Sequence, residues 1–178
     1  MFPRGNGLCA RLSAPFFMWN AADLSGATLS NGGFAANFGN PGAVRGTSSR
    51  SAGKWYFEAT LGVSGGNAGC IGIGTGTATL DPNPVQAGEY AYRTSDGNVG
   101  GNGTSTITTF SSSVVGDVLA VAMDLSSNQL SWYKNNTLLG TISISAGTYF
   151  PMASGNLNLQ LALNSPPIYA PPSGYSYW

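Results

Sequence analysis

What this chain can do chemically is bounded first by what it lacks. Its 178 residues include no histidine, which removes Ser-His-Asp and Cys-His nucleophilic catalysis, a histidine general base and every His-containing zinc site. Glu58 and Glu89 are the only glutamates. With the aspartates they are all that could act as acid and base in glycoside cleavage, which needs two carboxyls about 5–9 Å apart across a cleft. Glu58 lies within a strand-like run and Glu89 precedes a short one, so each reads as an exposed or hydrogen-bonded structural residue. Gly72-Ile73-Gly74-Thr75-Gly76 has the look of a nucleotide-binding loop, but no helix pattern and no lysine follow it. Asp96-Gly97-Asn98 offers oxygens without the D-x-D-x-D-G spacing of a calcium loop and reads as a turn. No cofactor and no metal are expected.

A set of side chains suited to binding remains: Tyr90, Tyr92, Arg93, Asp96, Asn98 and Asn102. Aromatic faces, a guanidinium and amides beside two long loops can stack on sugar rings or grip a peptide. Tyr90 and Tyr92 also alternate on one face of a strand, where they would be core. Arg45 suits an anchor for a neighbouring carboxylate, and Trp55, Trp132 and Tyr133 suit core positions. Cys70 sits in an apolar run and reads as a buried thiol; pairing with Cys9 stays open, since spacing alone does not decide it.

The elements that must position these residues are strands. Gly, Pro and Ser make up about a third of the chain, a bias that by itself signals low complexity. Against it, 42% of residues are hydrophobic and 11% aromatic, so the small residues belong in turns between packed segments of one domain. Helical periodicity is nearly absent. Asn156 to Asn164 alternates leucine with mostly amides, and Lys54 to Val63 puts Trp55, Phe57, Ala59, Leu61 and Val63 on one side with Tyr56, Glu58 and Thr60 on the other. Val118 to Leu125 is apolar almost throughout and predicts a central strand. Turns at residues 124–128 and at Asn135-Asn136 continue it as a meander through Gln129–Lys134 and Thr137–Ile144. Further short strands are predicted near Thr28, Phe34–Phe38, Val44–Thr47, Cys70–Gly74, Glu89–Arg93, Thr104–Phe110 and Tyr149–Ala153. About ten to twelve such strands predict an all-β, two-sheet antiparallel sandwich. Gly97–Gly103 and Asp81–Gly88 are the two longest predicted loops.

Charge restricts the partners. Only 8% of residues are charged, against about 25% in an ordinary domain, and the seven basic side chains are scattered. No field for a phosphate backbone results, so nucleic acid is not expected. No run approaches the roughly 20 apolar residues of a membrane span, so membrane insertion is not expected either. Residues 1–18 faintly resemble a signal peptide, but the apolar core Ala14–Trp19 is short and contains Pro15. They read as an ordered or docking arm. Residues 19–165 form the sandwich, and 166–178, rich in Pro and aromatics, form a tail that packs on it or docks to a partner.

Several segments, in this order, resemble the SPRY domain family. Gly53-Lys54-Trp55-Tyr56-Phe57-Glu58 resembles its G-K-[WH]-Y-[WF]-E strand, and Ile71-Gly72-Ile73-Gly74 its I-G-[IV]-G strand. Gly116 to Asp124 resembles G-D-[VI]-[IL]-G-V-x-[LV]-D, Leu130 to Asn136 resembles L-[ST]-F-Y-K-N-G, and Tyr149-Phe150-Pro151 stands where the family has Y-[FY]-P. Trp19-Asn20, Leu29-Ser30-Asn31-Gly32, Val44-Arg45-Gly46-Thr47 and Ile168 to Tyr175 are similar to segments of the bacterial and bacteriophage branch. Asn136 replaces the usual Gly, a position where Asn tolerates positive φ.

The resemblance implies a concanavalin-like sandwich, or jelly roll, whose loops present a binding surface. With few charges, it leads to a non-enzymatic module of a bacteriophage-type virion, on tail or capsid, acting in attachment or assembly. Its partners would be other virion proteins or a host-surface glycan or protein, with a homo-oligomer open, and its location the extracellular particle. A stand-alone bacterial glycan- or peptide-binding module, secreted or cytoplasmic, is the second reading. A carbohydrate-cleaving enzyme on the same fold is the third.

Overall fold

Alternating apolar and polar residues become strands nearly everywhere they occur. The structure, a computed structural model, describes residues 17–62, 69–81, 86–156 and 159–178. In chain order the strands are β1 (Trp19–Ser25), β2 (Thr28–Ser30), β3 (Ala35–Phe38), β4 (Gly42–Gly46), β5 (Lys54–Leu61), β6 (Gly69–Thr75), β7 (Glu89–Arg93) and β8 (Asn98–Gly101). They continue as β9 (Thr104–Thr109), β10 (Val118–Asp124), β11 (Gln129–Lys134), β12 (Thr137–Ser143), β13 (Tyr149–Gly155), β14 (Leu159–Leu163) and β15 (Ser176–Tyr177). The only helical element among the described residues is a single 3-10 turn at Asn31–Gly33, so no helix there is long and apolar enough to cross a membrane.

Two sheets stack. One runs β1-β4-β13-β6-β7-β8-β9 and the other β12-β11-β10-β5-β14-β3-β2, with every pairing antiparallel except that of β15, which joins β5 in parallel. The chain changes sheet repeatedly, as in a jelly roll. Phe57, Leu61, Val121 and Leu130 from one sheet meet Ile71, Tyr92, Val99 and Ala153 from the other in one core. Each buried Val, Leu, Ile or Phe among them contributes roughly 1.5–3 kcal/mol relative to exposure. The predicted central strand is β10, buried at all its positions between β5 and β11.

The structure departs from the pattern reading in two places. The predicted loop Gly97–Gly103 contains β8, because Val99 is fully buried and Gly101 lets the ladder close: a Cβ there would run into the Glu89 carbonyl oxygen. The outer face of β5 is not wet, since Tyr56 and Glu58 are buried beneath residues 168–177. Of the leucine-alternating run, Leu159–Leu163 is β14; Leu157 and Asn158 lie outside the described residues, as do Cys9 and the arm up to residue 16. Of the arm, Phe17 is buried and sets its ring edge-on to Trp19 and Phe57.

Candidate binding surface

Strand directions bring three connections to one end of the sandwich: the β7–β8 turn, the β9–β10 loop and the β11–β12 turn at Asn135-Asn136. In the first, Arg93 grips Asp96 with two parallel bonds, Nε to Oδ1 at 2.9 Å and Nη2 to Oδ2 at 2.6 Å. Asp96 Oδ1 also accepts the Asn98 N–H at 3.1 Å, and Asn98 Nδ2 donates to Thr106 Oγ1 at 2.7 Å. The Arg93 hydrogen bond holds the Asp96 carboxyl below its ordinary value, and the same bond raises Arg93. The turn closes because Gly97 adopts φ +75°.

The loops brace one another. The Ser113 N–H donates to Thr94 O, and the Phe110 N–H to Gly97 O, both at 2.8 Å. Lys134 Nζ donates to Ser112 O at 2.8 Å, and Asn135 Nδ2 to Asp117 Oδ1 at 2.7 Å. The other Asp117 oxygen accepts the Val114 N–H at 2.9 Å. On this frame Val114 and Val115 stand 68% and 55% exposed. This exposed apolar pair shares the end of the sandwich with the Arg93–Asp96 ion pair and the Asn135 amide, the mixture of apolar and polar groups that protein interfaces use.

Of the six residues read as binding candidates, Arg93, Asp96 and Asn98 meet at this end. Tyr90 and Tyr92 are in the core, 4% and 0% exposed, as their inward alternation on β7 requires. Tyr90 Oη donates to Ser145 Oγ at 3.1 Å, and Tyr92 Oη donates to Ser111 O at 2.8 Å. Asn102 sits at the opposite end in the β8–β9 turn with φ +49°, its Oδ1 accepting the Gly88 N–H at 3.2 Å. The valine pair was missed. Its signal was two β-branched apolar residues between a run of serines and a glycine, where strand pattern had already stopped.

The two glutamates share no cleft. Glu58 projects from the outer face of β5, while Glu89 projects from the outer face of β7 in the other sheet, beside Gly74. Glu58 accepts the Tyr56 hydroxyl at 2.7 Å and the N–H groups of Ile168 and Tyr169 at 2.7 and 3.0 Å. Glu89 is fully buried; Oε2 accepts the Gln86 N–H at 3.2 Å and Oε1 has no hydrogen-bond partner among the described residues. Burial pushes its carboxyl up to about 7, with the Gln86 N–H opposing, Asp81 adding to the rise and Arg45 opposing it. Arg45 instead pairs with Asp23 at 2.7 Å and donates to Ala78 O at 2.6 Å. Cys70 is a free, buried thiol that burial pushes up to about 12.

The SPRY domain family model matches residues 54–164. Among solved structures, the SPRY domain of human HERC1 superposes with a TM-score of 0.70 at 19% identity, over 82% of this chain and 96% of that one. A human SPRY domain gives 0.65 at 20% identity over 79% and 96% of the two chains. The TRIM65 PSpry domain gives 0.67 at 15% identity over 84% and 92%. These likenesses are of fold. No curated protein matches the chain.

Proposed function

The chain belongs to the SPRY domain family, whose domains are typically protein-interaction modules, and we propose that it binds a protein partner through the end bearing Arg93, Asp96, Val114 and Val115. The carrying observation is the exposed valine pair on a hydrogen-bonded frame. Water ordered over two adjacent apolar side chains is released when a partner covers them, and the braced loops lose little freedom on docking. The Arg93–Asp96 pair at the rim supplies orientation more than affinity.

The setting we propose is a bacteriophage-type particle, with the module on tail or capsid and no enzymatic step. Support comes from the low charge, from residues 135–178 carrying no charged side chain at all, and from the branch-like segments between Trp19 and Thr47 and from Ile168 to Tyr175. A sugar-stacking role has less support, because the Tyr90 and Tyr92 rings are enclosed. Electron microscopy of intact particles with an antibody to this chain tests the setting: label on tail or capsid is expected, and unlabelled particles overturn it. Capture of the partner by the wild-type chain but not by a Val114→Asp, Val115→Asp double variant tests the surface.

A further inference from the structure

At the other end of the sandwich, β14 leaves part of the β5 edge uncovered. Its ladder runs from Leu161↔Leu61 to Leu163↔Ala59 and ends with Asn164 N–H donating to Glu58 O at 3.0 Å. Beyond this point the β5 edge is taken by β15, with Ser176 opposite Trp55, Tyr177 opposite Tyr56, and Trp178 N–H donating to Tyr56 O at 2.9 Å. Between the two contacts the buried Glu58 carboxylate receives the consecutive N–H groups of Ile168 and Tyr169. The Trp178 indole is 4% exposed, 5.8 Å from Phe57 and 6.4 Å from Trp55 by ring centroids, and its Nε1 donates to Ser48 O at 3.1 Å.

Three anchors thus hold residues 168–178: a carboxylate on main-chain donors, a short parallel ladder, and one aromatic ring in a socket. This is how a sheet edge recognises an extended peptide, with main-chain bonds for affinity and a pocket for specificity. The segment is seated rather than fused. Its strand is only two residues long, far below what stands alone. Ile168 and Tyr177 remain 57% and 40% exposed, and a crevice persists beneath it, between Phe17, Leu163 and Trp178. Its link to the body, Ser165 to Pro167, is partly or largely exposed and bends at Ser165-Pro166 instead of running on as strand.

We propose that this seat on β5 also receives residues 168–178 of a second copy of the chain, so that copies exchange these segments. The fit is shown by the segment already seated there, which a second copy carries unchanged. The segment carries no charged side chain to repel its counterpart. Exchange of an identical element is a low-cost route to a dimer: reciprocal exchange closes it, whereas one-way exchange builds an open row. The seat lies at the opposite end from Val114 and Val115, so the inference does not depend on the function proposed above.

The test uses the full chain and a fluorescent synthetic peptide with the sequence Ile168–Trp178. Sedimentation velocity over a concentration series is expected to show dimers or longer rows, and excess peptide is expected to bind and dissolve them. A peptide with Trp178→Ala should bind at least about tenfold more weakly, since a buried aromatic anchor dominates such contacts; altering the peptide cannot unfold the protein. A chain that stays monomeric and takes up no peptide overturns the proposal. So do oligomers that the peptide leaves intact, or uptake indifferent to the Trp178 change.

Discussion

The indole of Trp132 on β11 donates its Nε1–H to the carbonyl oxygen of Ile71 on β6, 2.9 Å away across the interior. The reverse link exists as well: Trp19 on β1 donates to Leu161 O on β14 at 3.3 Å. Each sheet therefore pins the other through a tryptophan with almost no exposure. Hydrophobic area alone would let two such sheets slide, whereas a directional bond in a dry core fixes their register.

Trp132→Phe keeps an aromatic ring but removes the donor and leaves a void beside Gly140 and Phe110. The expected loss is about 2–4 kcal/mol, part cavity and part hydrogen bond. Urea denaturation should show a lower midpoint at an unchanged slope.

Glu58→Gln should loosen the last segment before it disturbs the sheets. The amide keeps one acceptor oxygen and turns an NH2 toward donors, so one of the Ile168, Tyr169 and Tyr56 donors loses its partner. A cost of about 3 kcal/mol is expected. Hydrogen exchange read by mass spectrometry should accelerate in residues 168–178 while β10 and β11 stay protected.

Glu89 makes stability depend on pH with an unusual sign. Its carboxyl sits near 7 in the fold, above the ordinary value of 4.5, so the folded chain holds a proton that the unfolded chain releases. The stabilisation is complete below about 4.5 and is lost as pH rises toward 7 and past it, at most about 3 kcal/mol. Urea unfolding at pH 5 and pH 8 should show this drop in the wild-type chain, and Glu89→Gln should flatten it.

The Val114→Asp, Val115→Asp double variant should unfold within about 0.5 kcal/mol of wild type, because both side chains are mostly in water. Arg93→Ala should cost under about 1 kcal/mol, as its pair with Asp96 is solvent-exposed. Partner capture should fall at least about tenfold for the valine variant, with the chain's circular dichroism unchanged.

Strands were legible where one rule sufficed. The period-two run of β5, the apolar β10 and the Asp124 and Asn135 turns each carry their own signal. β8 was not legible, because glycines that permit close approach look the same in sequence as glycines that break a strand. The family strands were readable as an ordered set of motifs, and the matched region follows them. The surface was harder. Tyr90 and Tyr92 alternate as core, and only tertiary structure shows that Asn98 and Asn102 turn at opposite ends of one short strand. Cover over Glu58 by residues more than a hundred positions away is likewise invisible to local pattern.

The β11–β12 turn gives the sharpest ordering of variants. Asn135 and Asn136 adopt φ +48° and +65°, the left-handed pair that a two-residue hairpin needs to match strand twist. Non-glycine residues meet strain there of about 1 kcal/mol, less for Asn than for others. Asn136→Gly relieves it but frees the unfolded chain, so stability should change by no more than about 0.5 kcal/mol. Asn136→Ala keeps the strain without the Asn side chain and should cost about 1 kcal/mol. Asn135→Ala should cost more, about 2 kcal/mol, because Asn135 also accepts the Val118 N–H at 2.9 Å and donates to Asp117 at 2.7 Å. Thermal unfolding of the three variants should rank them in that order. If Asn135→Ala proved no worse than Asn136→Ala, the side-chain brace between this turn and the β9–β10 loop would carry no weight, and Val114 would stand on a softer frame than its hydrogen bonds imply.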